Sequence, residues 1–464
     1  MRTFFLALIF LCAGFCPARA SVTLPAVFSD HMVLQQQANV LIWGKTRANA
    51  TVRIQTGWNG RRYKTRAADD GSFRLRVSTP AAGGPFRMVF DDGERVVLDD
   101  ILIGEVWLCS GQSNMEMPVK GFANQPVVGS NDLLTAAAEP GVRLFRVEKN
   151  MSKTPLTQLN TSWQLPAAAS VKEFSAIGYQ FARMLQRTLG VPVGIISSAY
   201  GGTDIEAWMD QAALAPFKDF PVPADSAKIN KNHTGVLYNA MINPIAGFHI
   251  RGVLWYQGEN NRVNPATYDR KMAAMVSLWR RIWDCGEWPF YYVQIAPNKY
   301  KNHKEQIPLL YEAQQRAMSL IPNAGMAVSV DAGSMTTIHP PDKTIISKRL
   351  LYWALARTYG REGIAYQGPV YRDMKVNGAQ AVLAFDNIPL GLTAYDQKLL
   401  SFEVAGHDRV FYPAEARISG KTIVVQSEQV KLPQAVRYAF KDTSAGNLYN
   451  TEGLPAAPFR TDNW

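Results

Sequence analysis

Cysteine and histidine are scarce in this chain, at four and six of 464 residues. There is neither a C-x-x-C pair nor a His/Cys cluster, so a structural zinc site and a disulfide-stapled module both lack support. Long apolar runs are also missing. The one sustained stretch, residues 4–16, is shorter than the ~20 residues a membrane-spanning helix needs, so no membrane partner is expected. Charge is not clustered either: 49 Lys+Arg against 38 Asp+Glu give +11. With no basic block or stripe, that excess reads as solvated surface, and nucleic acid is not an expected partner. Aromatic residues, by contrast, are plentiful. With 11 Trp, 18 Tyr and 21 Phe, the chain can build large packed cores, which excludes disorder over most of its length.

The short apolar run follows Arg2 and leads to Ala18-Arg19-Ala20, the charged start and small-residue cleavage site of a secretory signal peptide. The expectation is an exported protein, periplasmic or extracellular, with residues 1–20 removed. Without Arg2 and Arg19 the balance becomes 47 basic to 38 acidic residues. Cys12 and Cys16 leave with the signal. Cys109 and Cys285 remain, either as one bridge or as free thiols, with Cys109 inside an apolar run that suits a buried thiol.

Residues 21–100 consist of short β-branched and aromatic runs, such as 40–43, 51–55 and 72–77, between Gly, Asn and Pro clusters, and read as a β-sandwich. A different rhythm occupies residues 101–360. Strands are predicted at 101–109, 193–198, 250–256, 290–295 and 326–331, and helices at 266–283, 307–320 and 343–359. A further helix is marked by Ile177, Phe181, Met184, Leu185 and Leu189 on one face, stopping at Gly190. The alternation predicts an α/β domain whose parallel sheet is covered on both faces. Residues 361–464 return to strand-like runs at 381–385, 422–426 and 435–440, a second β-rich unit.

Ligands of an open parallel sheet bind beyond the carboxyl ends of its strands. Four unusual segments stand there. Ser110-Gly111-Gln112-Ser113-Asn114-Met115 is a polar turn that exposes a serine able to act as nucleophile beside a base. Ala199-Tyr200-Gly201-Gly202-Thr203-Asp204 offers backbone N–H groups to an oxyanion. Trp255-Tyr256-Gln257-Gly258-Glu259-Asn260-Asn261 supplies amide side chains that could add a donor. Ile338-His339-Pro340-Pro341-Asp342-Lys343 holds the one histidine in a loop between a parallel strand and its following helix. Taken singly, each has an ordinary reading as a turn, a cap or a hydrogen-bonded loop residue.

Together they resemble the sialate O-acetylesterases of the SGNH (GDSL-type) hydrolase superfamily, as do Trp208, Met32-Val33-Leu34-Gln35, Leu237-Tyr238-Asn239-Ala240-Met241, Arg437-Tyr438 and Asn447-Leu448-Tyr449-Asn450. The likeness runs through nearly all of 22–464. It implies a flavodoxin-like parallel sheet flanked by the two β-rich units, and a secreted esterase that removes O-acetyl groups from sialic acid, free or at a glycan end. Ser113 is implied as nucleophile and His339 as base. The implied oxyanion hole comprises the Ser113 and Gly201 N–H groups and the Gln257 side chain; if Gln257 does not donate, Asn114 or Asn261 is next in line. No metal or organic cofactor is implied.

The superfamily often places Asp three residues before the histidine, where this chain has Thr336. A D-x-x-H triad is therefore excluded. The preferred reading is a Ser-His dyad with a backbone carbonyl orienting the imidazole, and Asp331 is the alternative acid. An acetylesterase for xylan or another acetylated polysaccharide would use the same residues. A non-catalytic carbohydrate-binding protein is the rival from another class, disfavoured because it needs no Ser/His pair.

Overall fold

The computed structural model describes residues 21–217, 228–299 and 306–464. The segment read as a signal peptide, and His303, lie outside the described residues. One strand organises the rest. β1, Arg95–Gly111, begins with exposed and buried residues interspersed and becomes continuously buried from Ile101 onward. Its sequence changes at the same place. Val96-Val97-Leu98-Asp99 suits a sheet wet on one face, whereas Ile101 to Cys109 suits a strand covered on both. The first part of β1 pairs antiparallel with Gly83–Asp91 of the N-terminal β unit. The second part is the centre of the parallel sheet, so the division expected between residues 100 and 101 falls inside a strand that both units share.

The parallel sheet adds β2 (Val142–Arg146), β3 (Val193–Ala199), β4 (Gly252–Tyr256), β5 (Phe290–Val293) and β6 (Ala324–Ala327), in the spatial order β2-β3-β1-β4-β5-β6. Apart from the edge strand β2, the remaining five follow the flavodoxin-like order. Side chains alternate across this sheet with period two. Val106, Leu108, Val253, Trp255, Phe290 and Tyr292 enter one core, under helices α2 (Tyr268–Trp283) and α3 (Ile307–Leu320). Trp107, Cys109, Leu254, Tyr256, Tyr291 and Val293 enter the opposite core, under α1 (Ala176–Leu189) and α4 (Thr344–Trp353). β2 lacks any distinctive pattern and was not anticipated from sequence. β6 is shorter than expected, so Asp331 lies past the strand rather than at its end.

In the N-terminal unit Asn39–Lys45 pairs with Ser72–Ser78, and Thr51–Thr56 lies between Arg62–Arg66 and Gly83–Asp91. The C-terminal unit holds two four-stranded antiparallel sheets around a third core. Glu105, fully buried at the start of the parallel half of β1, ties the units below the sheet. It accepts from Arg251 Nε at 2.6 Å, Gln36 Nε2 at 2.7 Å and Tyr359 Oη at 2.8 Å. Cys109 and Cys285 are both free thiols, the first buried.

Helix α1 shows how local signals lock to the sheet. Ser175 caps it by accepting from the Gly178 N–H at 3.1 Å, and its hydroxyl donates to the Met115 carbonyl at 2.6 Å. One buried side chain thus serves a helix end and the turn after β1. Ser175→Ala is expected to lower stability by about 1–2 kcal/mol, read as a lower urea midpoint at unchanged slope; an unchanged midpoint would contradict the double role.

Candidate active site

At the carboxyl end of β1 the chain turns through Gly111, whose φ is +134°. A Cβ there would lie 2.2 Å from the Tyr256 carbonyl oxygen, so only glycine fits. The next N–H, of Gln112, donates to that same carbonyl at 2.9 Å. This pins the turn to β4 and starts the short helix Ser113–Glu116, which leaves Ser113 part-exposed while Asn114 and Met115 point inward.

The loop after β6 returns over this turn and sets His339 Nε2 2.7 Å from Ser113 Oγ. The other ring nitrogen, Nδ1, lies 2.6 Å from Gln125 Oε1. An amide oxygen can only accept, so Nδ1 carries the proton and Nε2 turns its lone pair to the serine hydroxyl. Gln125 sits in a tight turn built by two left-handed residues, Gly121 at φ +78° and Asn124 at φ +58°. Phe122 and Gln125 exchange backbone hydrogen bonds of 3.0 Å across it. The turn places two side chains on one imidazole, since the Phe122 ring also packs edge-on to His339 at 5.2 Å. Thr337 Oγ1 donates to Gln125 Oε1 at 2.8 Å, and the Val128 N–H donates to the Pro341 carbonyl at 3.0 Å, joining the two loops. Burial, then the positive charge of Lys343, lowers the His339 pKa to about 4, so the ring is neutral around pH 7.

Three expectations about the surroundings are corrected. His339 Nδ1 is held by a glutamine side chain rather than by a backbone carbonyl. Asp331 does not reach the imidazole: Arg349 grips both of its oxygens, at 2.7 and 2.6 Å. That ion pair is nearly buried and anchors α4 to the chain leaving β6. Gln257 does not present a free amide to the serine. Its Nε2 donates to the Thr203 carbonyl at 2.9 Å and to Asn261 Oδ1 at 2.6 Å, and its Oε1 accepts from Tyr268 Oη at 2.8 Å. Both amide hydrogens are used inside the protein.

The substitute donors are engaged as well. Asn114 Nδ2 reaches Glu259 Oε1 at 2.5 Å and the Ile338 carbonyl at 3.1 Å, and Asn261 Nδ2 reaches Glu206 Oε2 at 2.9 Å. The loop after β4 is therefore a brace, holding the glycine loop after β3 through Gln257, Asn260 and Asn261. Trp208 belongs to the same brace, with its Nε1 on Thr203 Oγ1 at 3.1 Å and its ring edge-on to Trp255.

The brace brings Gly201 against the serine. A Cβ added at Gly201 would stand 3.1 Å from Ser113 Cβ. The Gly201 N–H donates to Glu116 Oε2 at 2.5 Å, so an incoming oxygen reaches this donor only when the carboxylate gives way. Glu116 is also paired with Lys149 at 2.8 Å, and Lys231 Nζ donates to the Gly201 carbonyl at 2.6 Å. Beside these groups opens a cleft of about 370 Å³, lined by Glu116, Phe122, Arg146 and Lys149 among others. Sequence motifs located the serine, the histidine and the glycine loop. Gln125 was missed because it lies in no motif; its one signal is the Gly121/Asn124 turn composition.

Comparison with known proteins agrees with this chemistry. A profile for the sialic acid-specific acetylesterases among carbohydrate esterases matches residues 103–343. The sialate O-acetylesterase of Homo sapiens is 30% identical over 93% of this chain and 91% of its own length, and that of Rattus norvegicus 29% identical over 93% and 92%. The crystal structure of a carbohydrate acetylesterase from Xanthomonas citri superposes with a TM-score of 0.87 at 35% identity, covering 96% of this chain and all of that one. With its serine and histidine joined at the carboxyl edge of a flavodoxin-like sheet, the chain belongs to the sialic acid-specific acetylesterase family of carbohydrate esterases.

Proposed function

We propose that this esterase removes O-acetyl groups from sialic acid by two-step acyl transfer through Ser113. The observation that carries the mechanism is the 2.7 Å contact between Ser113 Oγ and a His339 nitrogen whose tautomer Gln125 fixes. His339 Nε2 takes the hydroxyl proton as Oγ bonds to the acetyl carbon. The Ser113 and Gly201 N–H groups receive the developing oxyanion, with Glu116 displaced from Gly201 as the carbonyl enters. Collapse breaks the ester bond, and the imidazolium returns its proton to the departing sugar oxygen. Water, deprotonated by the same imidazole, then releases acetate.

The family supports sialic acid as the sugar, and Arg146 and Lys149 in the cleft lining, with Lys231 on the Gly201 carbonyl, suit its carboxylate. An acetylated polysaccharide is the second reading, compatible with the likeness to a carbohydrate acetylesterase from Xanthomonas citri. The sequence pattern of residues 1–20 supports an exported enzyme, in the periplasm or outside the cell.

Ser113→Ala is expected to abolish hydrolysis of a chromogenic acetate ester in a folded protein; turnover at the wild-type rate would overturn the mechanism. Acetate release from O-acetylated sialic acid, measured beside acetylated xylan, decides the sugar. A higher kcat/KM on the sialic acid is expected, and the reverse order would establish the polysaccharide reading.

Because His339 must be neutral to act, activity should persist as pH falls below the ordinary histidine value of 6.5 and decline near about 4. An acid limb at the ordinary value would contradict the buried base. Gln125→Ala is expected to lower kcat about tenfold or more. Gln125→Glu places a carboxylate on Nδ1, which favours the imidazolium, so its acid limb should move to higher pH. An unmoved limb would show that Gln125 does not orient His339.

A further inference from the structure

Two residues quoted among the sequence motifs, Glu259 and Lys343, have no part in the acyl-transfer steps, yet both are buried beneath them. Lys343 is 1% exposed, Glu259 1% and Asn114 1%. Lys343 Nζ donates to Asn114 Oδ1 at 2.7 Å, and Asn114 Nδ2 donates to Glu259 Oε1 at 2.5 Å and to the Ile338 carbonyl at 3.1 Å. Asn114 follows Ser113, and Ile338 precedes His339. This chain of contacts therefore joins the serine turn, the histidine loop and the loop after β4 from below.

The arrangement is costly as a mere scaffold. Burial lowers the Lys343 pKa to about 7 and raises that of Glu259, and Glu259 Oε2 has no hydrogen-bond partner among the described residues. Apolar side chains replacing the whole buried group are often as stable. What an apolar replacement cannot supply is charge, and the charge of Lys343 acts on His339.

We propose that Lys343, through Asn114 and Glu259, is a positioning residue that fixes the Ser113 turn against the His339 loop and sets a positive charge beside the imidazole. The proposal rests on the Ser113–His339 reading above. The groups facing His339 are Ser113, the Gln125 amide, the Phe122 ring and, by charge, Lys343. Those facing Lys343 are Asn114, Glu259 and Asp342, and Arg262 acts in turn on Glu259. A positive neighbour disfavours the imidazolium, and at the acid pH where His339 titrates Lys343 is itself charged. Removing that charge must therefore raise the pH at which His339 gains its proton.

The test titrates His339 by NMR in the free protein and measures kcat and KM on 4-nitrophenyl acetate across pH, for wild type, Lys343→Met, Lys343→Arg and Glu259→Leu. In Lys343→Met the His339 titration is expected to rise by about half a pH unit or more. Its kcat should fall about tenfold or more while KM stays within about threefold. Lys343→Arg keeps the charge and should leave the titration low, even where its larger head lowers kcat. Glu259→Leu removes the oxygen that accepts from Asn114 and leaves the Lys343 cation at acid pH, so His339 should titrate no higher than in wild type while kcat falls through lost positioning. A wild-type titration and kcat in Lys343→Met would overturn the proposal, as would an upward shift in Lys343→Arg equal to that in Lys343→Met. If Lys343→Met fails to fold, Glu259→Leu decides: full kcat, or an upward shift of His339, overturns the proposal. Absence of esterase activity in the wild type would instead refute the acyl-transfer reading, and the NMR titration would still report on Lys343.

Discussion

The contact between Ser113 and His339 joins residues 226 positions apart, and much of the catalytic domain serves to make it. A hydroxyl is a weak nucleophile unless a base stands within hydrogen-bond distance. Neither partner is on a regular element long enough to be rigid by itself. Ser113 depends on the Gly111 turn, which is pinned to β4, and His339 depends on the Gln125 turn and the Val128–Pro341 bond. The sheet contributes because β1 is central and buried on both faces, so the turn at its end has little freedom to shift.

The orienting group is neutral, and this shapes the electrostatics of the site. A carboxylate on Nδ1 would both fix the tautomer and stabilise the imidazolium. The amide of Gln125 does only the first. With burial, Lys343 and an uncharged partner all opposing protonation, His339 is a base kept free of its proton over a wide pH range. The imidazolium formed during the reaction is correspondingly less supported. Glu116 adds a second demand, because the carboxylate on the Gly201 N–H must be exchanged for the acyl oxygen before that donor can stabilise the transition state.

Much of this was legible in the sequence, and the unread parts share a cause. Strand-end motifs put Ser113, Gly201 and His339 in one place because a parallel sheet gathers its loops at one edge. Helix α1 could be placed because its apolar periodicity and the stop at Gly190 agree. Long-range partner choice was not legible. Gln257 stands in the motif that suggested an oxyanion donor, yet its two hydrogens are claimed by Thr203 and Asn261, which only the folded loops reveal. Asp331 was the nearest upstream acid along the chain, but Arg349, in the second turn of α4, takes both of its oxygens. Gln125 had no motif at all; the composition of its turn specifies a bend and leaves unstated what the bend will touch. Strand β1 joins two units because its residue pattern changes midway, a signal that a boundary drawn between strands overlooks.

The account rests on a covalent acetyl-serine at residue 113, formed with His339 as base. Rapid acid quench of the enzyme during turnover of an acetate ester, followed by peptide mass mapping, observes that species directly. The expected result is an acetyl group on the peptide carrying Ser113 in the wild type and its loss in His339→Ala. Acetylation of a different residue, or undiminished labelling of Ser113 without His339, would contradict it.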